Sequence, residues 1–118
     1  MDLFDTTQLG LSAALRGSAA RQTAIAQNLA NVNTPGYRRM DVSFADALHG
    51  AMAKGDDAGL EAWTPATTVD DAAPMRADGN SVDLDTEAAA QASNGLQYQA
   101  LTTVMGARID ILKSAMGL

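Results

Sequence analysis

Apolar residues recur at helical spacing near both ends of this chain, and no other feature of the sequence limits the fold as strongly. Steps of three and four residues connect positions 11 to 32 and again positions 98 to 116. Such steps place side chains on one face of an α-helix. We therefore predict one helix over about residues 8–32 and a second over about 84–115. Their packing positions are Leu11, Leu15, Ile25, Leu29 and Val32 in the first helix and Leu101, Met105, Ile109 and Leu112 in the second.

Large apolar side chains are scarce for a chain of 118 residues. Leu, Ile, Val and Phe number 22, and the polar residues Ser18 and Gln22 take two of the seven positions in the first helical row. A charged chain with so few large apolar residues lies near the composition of disordered proteins. We therefore expect the chain to form helices readily but to need a partner in order to bury them.

Turn and charge signals divide the chain into three parts. Residues 1–40 end in Thr34-Pro35-Gly36-Tyr37, which fits a type II turn with Gly36 at positive φ. Residues 41–81 form an acidic connector, since eight of the fourteen acidic residues lie within it and three more follow by residue 87. Residues 82–118 hold the second helix, with Asp83 as its N-cap. The two ends are expected to form one assembly domain.

Local patterns in the connector are weaker. We predict a short helix over residues 42–53 with Ser43 as its N-cap. No sustained period appears from 54 to 80, which indicates a mobile segment or a small β excursion, and Asp78-Gly79 is a hairpin-turn signal. The predicted fold is mainly α. It consists of two long terminal helices packed as an antiparallel helical hairpin or coiled coil, with a short helix and an irregular acidic connector that can hold a small β-hairpin.

The sequence offers little for catalysis, so we predict no enzymatic activity, cofactor or metal. There is no cysteine, and His49 is the single histidine. The acidic run from residue 78 to 87 lacks the glycine and the glutamate of an EF-hand calcium loop, because Asp83 and Ala89 stand at those positions. A net charge of −6 argues against nucleic-acid binding. No apolar stretch approaches the length of a membrane span.

One segment has a specific pattern: Asn28-Leu29-Ala30-Asn31, followed by Thr34-Pro35-Gly36-Tyr37-Arg38. Asn28 and Asn31 share a helix face, so their amides could cap the last carbonyls of the helix or bond to another chain. By itself the segment could be only a helix stop built from turn-forming residues. It is also similar to the signature near the N-terminus of bacterial flagellar rod, hook and hook-associated proteins. A second set, Val82, Asp83, Leu84, Asn94 and Tyr98, resembles the proximal rod proteins of the FlgB type.

The resemblance implies a structural subunit of the proximal rod of the flagellar basal body. Members of this family build an axial drive shaft and export-channel wall from terminal helices that pack between subunits. The implied partners are copies of the chain itself, other rod proteins of the FlgC and FlgF types, a rod-base adapter of the FliE type and the flagellar type III export gate. The implied location is the periplasm-spanning rod, reached without a cleaved signal peptide. The acidic N-terminus is unlike a secretory signal, which agrees with that route.

A soluble helical-hairpin adapter or export partner in the cytoplasm is the alternative. It accounts for the periodicity and the acidity equally well, but it does not account for the asparagine-rich helix stop.

Overall fold

The computed structural model describes residues 5–118 and contains four helices and two short strands in that range. Their order is α1 (Thr6–Ala30), β1 (Met40–Val42), α2 (Ala45–Lys54), α3 (Asp57–Ala62), β2 (Thr67–Val69) and α4 (Leu84–Ala115). α1 and α4 run antiparallel along each other, and the molecule measures 61 × 26 × 16 Å. The prediction of a mainly α fold built on a hairpin of two long helices is confirmed.

The ends of the long helices follow capping side chains. Asp5 caps α1 by accepting a hydrogen bond from the backbone N–H of Gln8 at 2.8 Å, so the helix begins two residues earlier than predicted. It ends at Ala30, and Val32 lies in the following turn instead of the helix. Asp83 accepts from the backbone N–H of Thr86 at 3.1 Å, which confirms it as the cap of α4.

The connector is more regular than its sequence indicates. The prediction of one helix over 42–53 is wrong at its start, because Val42 pairs in β1 and α2 begins only at Ala45. Ser43 does not cap it; Phe44 holds that position and makes no side-chain cap. Residues 54–80 contain a helix that was not predicted, α3, which is capped by Asp56 and buries Leu60 completely.

β1 and β2 form a two-stranded antiparallel sheet in which Met40 lies opposite Val69 and Val42 lies opposite Thr67. α2 and α3 lie between the two strands in the chain, so the pair is not a hairpin. Asp78-Gly79 does form a turn, with Gly79 at a φ of +82°, but this turn joins no strands.

A small apolar core lies between α1 and the connector. Its buried members are Ala13 and Ala24 from α1 and Val42, Phe44, Leu48 and Leu60 from the connector. α1 lies close to the connector because Gly17 has no side chain: a Cβ there would lie 2.6 Å from the ring of Phe44. The connector thus supplies the large residues of a small core within the chain, whereas large apolar side chains of α4 such as Leu96 and Ile111 stay exposed, as expected of helices that need a partner.

None of the helices described between residues 5 and 118 combines the length and the apolar character needed to cross a membrane.

Candidate functional site

Asn28 joins α1 to the chain that returns from the turn. Its side chain is fully buried, and its amide nitrogen donates to the carbonyl of Met40 at 2.8 Å and to Glu87 Oε2 at 3.3 Å. Its amide oxygen accepts from the N–H of Met40 at 2.9 Å and from the hydroxyl of Tyr37 at 3.2 Å. Both donors and both lone pairs are thus in use. In this fold the Asn28 amide therefore takes neither of the two predicted roles: it caps no carbonyl of α1, and its hydrogen bonds are made within the chain.

Glu87 and Arg39 complete this contact, and we call Asn28, Tyr37, Arg39 and Glu87 the polar joint. Glu87 is fully buried, and Arg39 donates to its carboxylate from Nε. Arg39 also donates from Nη1 to Asp70 Oδ2 at 2.8 Å. Burial alone lowers the pKa of Arg39, but its carboxylate neighbours outweigh burial and raise that pKa above the ordinary value. The polar joint therefore holds a compensated buried charge that ties α1, β1 and α4 together.

Tyr37 responds to the same surroundings. Burial raises the pKa of the Tyr37 hydroxyl, and the charge of Glu87 raises it further. The neutral phenol therefore remains the donor to Asn28 at physiological pH.

The predicted type II turn is confirmed. Gly36 has a φ of +77°, and the N–H of Tyr37 donates to the carbonyl of Thr34 at 3.2 Å. A segment that precedes α4 holds this turn in place. The Gly36 N–H donates to the carbonyl of Asp78 at 2.9 Å, and Asn80 donates to the carbonyls of Asn31 and Thr34 at 2.8 Å each. The end of α1 is therefore closed by residues about 45 positions later in the chain.

Asn31 acts locally. Its amide donates to the carbonyl of Gln27 at 2.8 Å and accepts from the hydroxyl of Thr34 at 3.1 Å. This matches the alternative in which the asparagine caps the last carbonyls of the helix. The two asparagines of the pattern thus have different roles, one in tertiary structure and one in the helix stop.

The polar interruption of the first helical row has a partner on α4. Asn94 is buried and donates to the carbonyl of Ser18 at 3.0 Å and to the Gln22 side chain at 3.1 Å. The Ser18 hydroxyl donates to Asn94 in turn, at 3.1 Å. Hydrogen bonds therefore continue the α1–α4 seam through its two polar positions, Ser18 and Gln22.

At the other end of the hairpin, Arg108 on α4 contacts the first turn of α1. It donates to Asp5 Oδ2 at 2.9 Å and to the Gln8 side chain at 3.2 Å. The hydrogen bond from the backbone N–H of Gln8 lowers the pKa of the Asp5 carboxyl; burial opposes this shift, and the hydrogen bond and charge of Arg108 lower that pKa further. An ion pair thus joins α1 and α4 at this end of the hairpin, whereas the polar joint connects them at the other end.

The remaining predicted positions divide by burial. Ile25 and Val82 are buried, and a further set is half-buried in the α1–α4 seam or near it: Leu11, Leu15, Leu29, Val32, Leu101, Met105 and Leu112. Others of the predicted set are largely exposed: Ala30, Thr34, Pro35, Gly36, Leu84, Tyr98 and Ile109. Arg38 pairs with Asp71 at 3.2 Å near the surface. The exposed members are free to meet other molecules.

Sequence reasoning missed Arg39, Asn80 and the burial of Glu87. One signal could have found Glu87, because Glu87, Asn94 and Leu101 are seven residues apart and so share one face of α4. No pattern indicated Asn80. His49 is exposed, and between residues 5 and 118 no three side chains of metal-binding type converge on one point.

This chain is similar to known rod proteins of the flagellar basal body. A family model described as "Flagella basal body rod protein" matches residues 10–38, which include the asparagine-rich pattern. The flagellar basal body rod protein FlgB of Salmonella typhimurium is 34% identical over 126 residues, covering 92% of this chain and 91% of the relative. FlgB of Escherichia coli K12 is 33% identical over 128 residues, with the same two coverages. FlgB of Bacillus subtilis is 31% identical and covers 98% of this chain and 97% of the relative.

Proposed function

This chain belongs to the FlgB family of flagellar basal body rod proteins, and from that premise we propose that it builds the proximal rod through its terminal helices. It is a structural subunit of the basal body and not an enzyme, and it assembles with other flagellar rod proteins. In the proposal, copies of the chain and of neighbouring rod proteins pack side by side to form the axial drive shaft and the wall of the export channel.

One observation carries the proposal: α4 is long and is only partly covered within the molecule. It has 32 residues against 25 in α1, and it packs on α1 alone among the described elements. Several of its large apolar side chains remain exposed, among them Leu96, Tyr98 and Ile111. An uncovered apolar face on a long helix favours packing against further helices.

The proposal assigns different tasks to the parts of the chain. Residues 1–40 and 82–118 form the assembly domain, and residues 41–81 stiffen it from one side. The buried members of the family pattern shape the hairpin, whereas exposed ones such as Pro35 and Tyr98 contact neighbouring subunits. This division rests on burial and on the hydrogen bonds of the polar joint.

The proposed neighbours are rod proteins of the FlgC and FlgF types, the rod-base adapter of the FliE type and the flagellar type III export gate. The proposed route is export through that gate without a cleaved signal peptide, into a rod that spans the periplasm. Family membership supports these finer assignments. A soluble adapter or export partner in the cytoplasm is not favoured, because the similar proteins are rod proteins along nearly their whole length.

Deletion of the gene from the bacterium that encodes it tests the proposal. We expect loss of motility and of assembled rods, restored by a plasmid copy, and we expect the chain in purified hook–basal bodies. An adapter would be found in the cytoplasmic fraction and would be absent from purified basal bodies, which would overturn the proposal.

A further inference from the structure

Asn94 is followed by Gly95, and this is the only Asn-Gly pair in the chain. The other four asparagines precede leucine, valine, threonine or serine. Asparagine deamidates spontaneously most readily before glycine, because glycine has no side chain to hinder the approach of its backbone nitrogen to the asparagine side chain. The pair therefore places a reactive amide in α4, at a residue whose side chain joins the two long helices.

The reaction closes a ring and then opens it. The backbone nitrogen of Gly95 attacks the side-chain carbonyl carbon of Asn94, so that a C–N bond forms, the nitrogen loses its proton and the side-chain amide leaves as ammonia. Water then hydrolyses the resulting succinimide at one of its two carbonyl groups. The product at position 94 is aspartate or isoaspartate, in which the main chain runs through the former side chain. Water is the only reagent consumed.

The fold opposes the first step at both reacting groups. Within α4 the N–H of Gly95 is hydrogen-bonded to the carbonyl of Gln91, so the nitrogen keeps its proton and its position. The Asn94 amide donates to the Ser18 carbonyl at 3.0 Å and to the Gln22 side chain at 3.1 Å, and the residue is only 2% exposed. Ring closure needs both groups to be free, so it requires the hairpin to open.

We propose that Asn94 is a deamidation site that the folded hairpin protects and the unfolded chain exposes. The product does not fit the α1–α4 seam. A carboxylate at position 94 has no proton to donate at neutral pH, so the Ser18 carbonyl would face a buried negative charge in place of a donor. Isoaspartate adds a main-chain atom inside α4 and interrupts its helical hydrogen bonds. Deamidation therefore marks chains that have stayed unfolded and bars them from forming the hairpin.

Timed incubation of the purified full chain tests the site. One sample is kept in mildly alkaline buffer and another in the same buffer with guanidinium chloride, and tryptic peptides are followed by mass spectrometry. We expect Asn94 to deamidate at least about tenfold faster in the denaturant, because in buffer the hairpin must open first. Asn80 lies in the same tryptic peptide before Ser81, so it is an internal reference that should react more slowly than Asn94 in the denaturant.

Gly95→Ala and Gly106→Ala are matched variants, since both glycines lie in α4 and a Cβ at either position meets no atom within 4 Å. Both variants should fold, because alanine favours a helix over glycine. Gly95→Ala removes the Asn-Gly pair and should lose the rapid deamidation in the denaturant, whereas Gly106→Ala keeps the pair and should retain it. Deamidated chain, separated by ion exchange, should refold to a state with a lower denaturant midpoint than the unmodified chain.

Asn28→Ala supplies a readout of hairpin opening, because it weakens the polar joint without touching the Asn-Gly pair. It should deamidate faster than the unsubstituted chain in buffer and at the same rate in the denaturant. Equal rates for the unsubstituted chain in buffer and in denaturant would overturn the inference. Rapid deamidation of Gly95→Ala in the denaturant, an unchanged rate for Asn28→Ala in buffer, or an unchanged midpoint for the deamidated chain would overturn it as well. None of these results depends on the proposed rod function.

Discussion

Asn28→Ala tests the polar joint most sharply, because the asparagine is fully buried and all its hydrogen-bonding capacity is used. The substitution removes the partners of the Met40 N–H, of the Met40 carbonyl and of the Tyr37 hydroxyl. Each buried polar group left without a partner costs about 1–3 kcal/mol. Water entering the vacated space recovers part of this, so we expect the free energy of unfolding to fall by about 3 kcal/mol.

Asn31→Ala is the matched control, since the same chemical change occurs one helical turn later. The Asn31 side chain makes only local hydrogen bonds, to the Gln27 carbonyl and the Thr34 hydroxyl, and water can replace both. We expect a loss of about 0.5–1 kcal/mol. A third variant, Asn28→Asp, keeps an acceptor for the Met40 N–H but places a second carboxylate beside Glu87. It should be at least as damaging as Asn28→Ala at neutral pH.

Urea unfolding of the full chain, followed by circular dichroism, measures these differences. With a denaturant slope of about 2 kcal/mol/M, a loss of 3 kcal/mol lowers the midpoint by about 1.5 M. Equal midpoints for Asn28→Ala and Asn31→Ala would refute the reasoning, because burial would then not separate the two asparagines.

Three further results are expected. Gly36→Val should lower the free energy of unfolding by about 1–2 kcal/mol, because Gly36 has positive φ. No atom lies within 4 Å of a Cβ at this position, so backbone strain is the cause. Gly36→Asn should lower it less, and thermal melting compares the two variants. Gly17→Ala should destabilise the chain, because the added methyl group would collide with Phe44, and a gain in melting temperature would contradict the packing described. Gly50→Ala in α2 is the control: its methyl group meets open space, so it should stabilise the chain by about 0.5–1 kcal/mol. Because the pKa of Asp5 is lowered from 3.8, the contribution of its carboxylate to stability should be complete above pH 3.8 and should be lost as the pH falls through the lower pKa of the folded state. Asp5→Asn should remove that part of the acid-unfolding profile, and an unchanged profile would contradict this role of Asp5.

The helices and the turn at Gly36 were predictable because local signals determine them. The row from Leu11 to Leu29 has a clear helical period, Asp83 supplies a cap, and Pro35-Gly36 fits one turn type. Each of these signals acts within a few residues, so no knowledge of distant contacts was needed.

The core and the polar joint depend on contacts far apart in the chain. Val42 and Thr67 lie opposite each other in strands of only three residues, and two helices separate these strands in the chain. Asn80 hydrogen-bonds to the end of α1, which lies about fifty positions earlier. Small residues such as Ala13 and Gly17 indicate that another element packs closely against α1, but they do not indicate which element it is. The sequence therefore indicates a helical hairpin for assembly, but it does not reveal that the connector completes a core against α1.

A cryo-electron microscopy map of basal bodies from cells in which this chain is the sole FlgB-type subunit tests the central claim most directly. We predict density for the chain in the proximal rod, with α1 and α4 of one subunit still paired through Asn28 and Glu87 and with the exposed face of α4 covered by a neighbouring subunit. A rod that lacks the chain, or one in which α1 and α4 have separated to pair only with other subunits, would contradict the account.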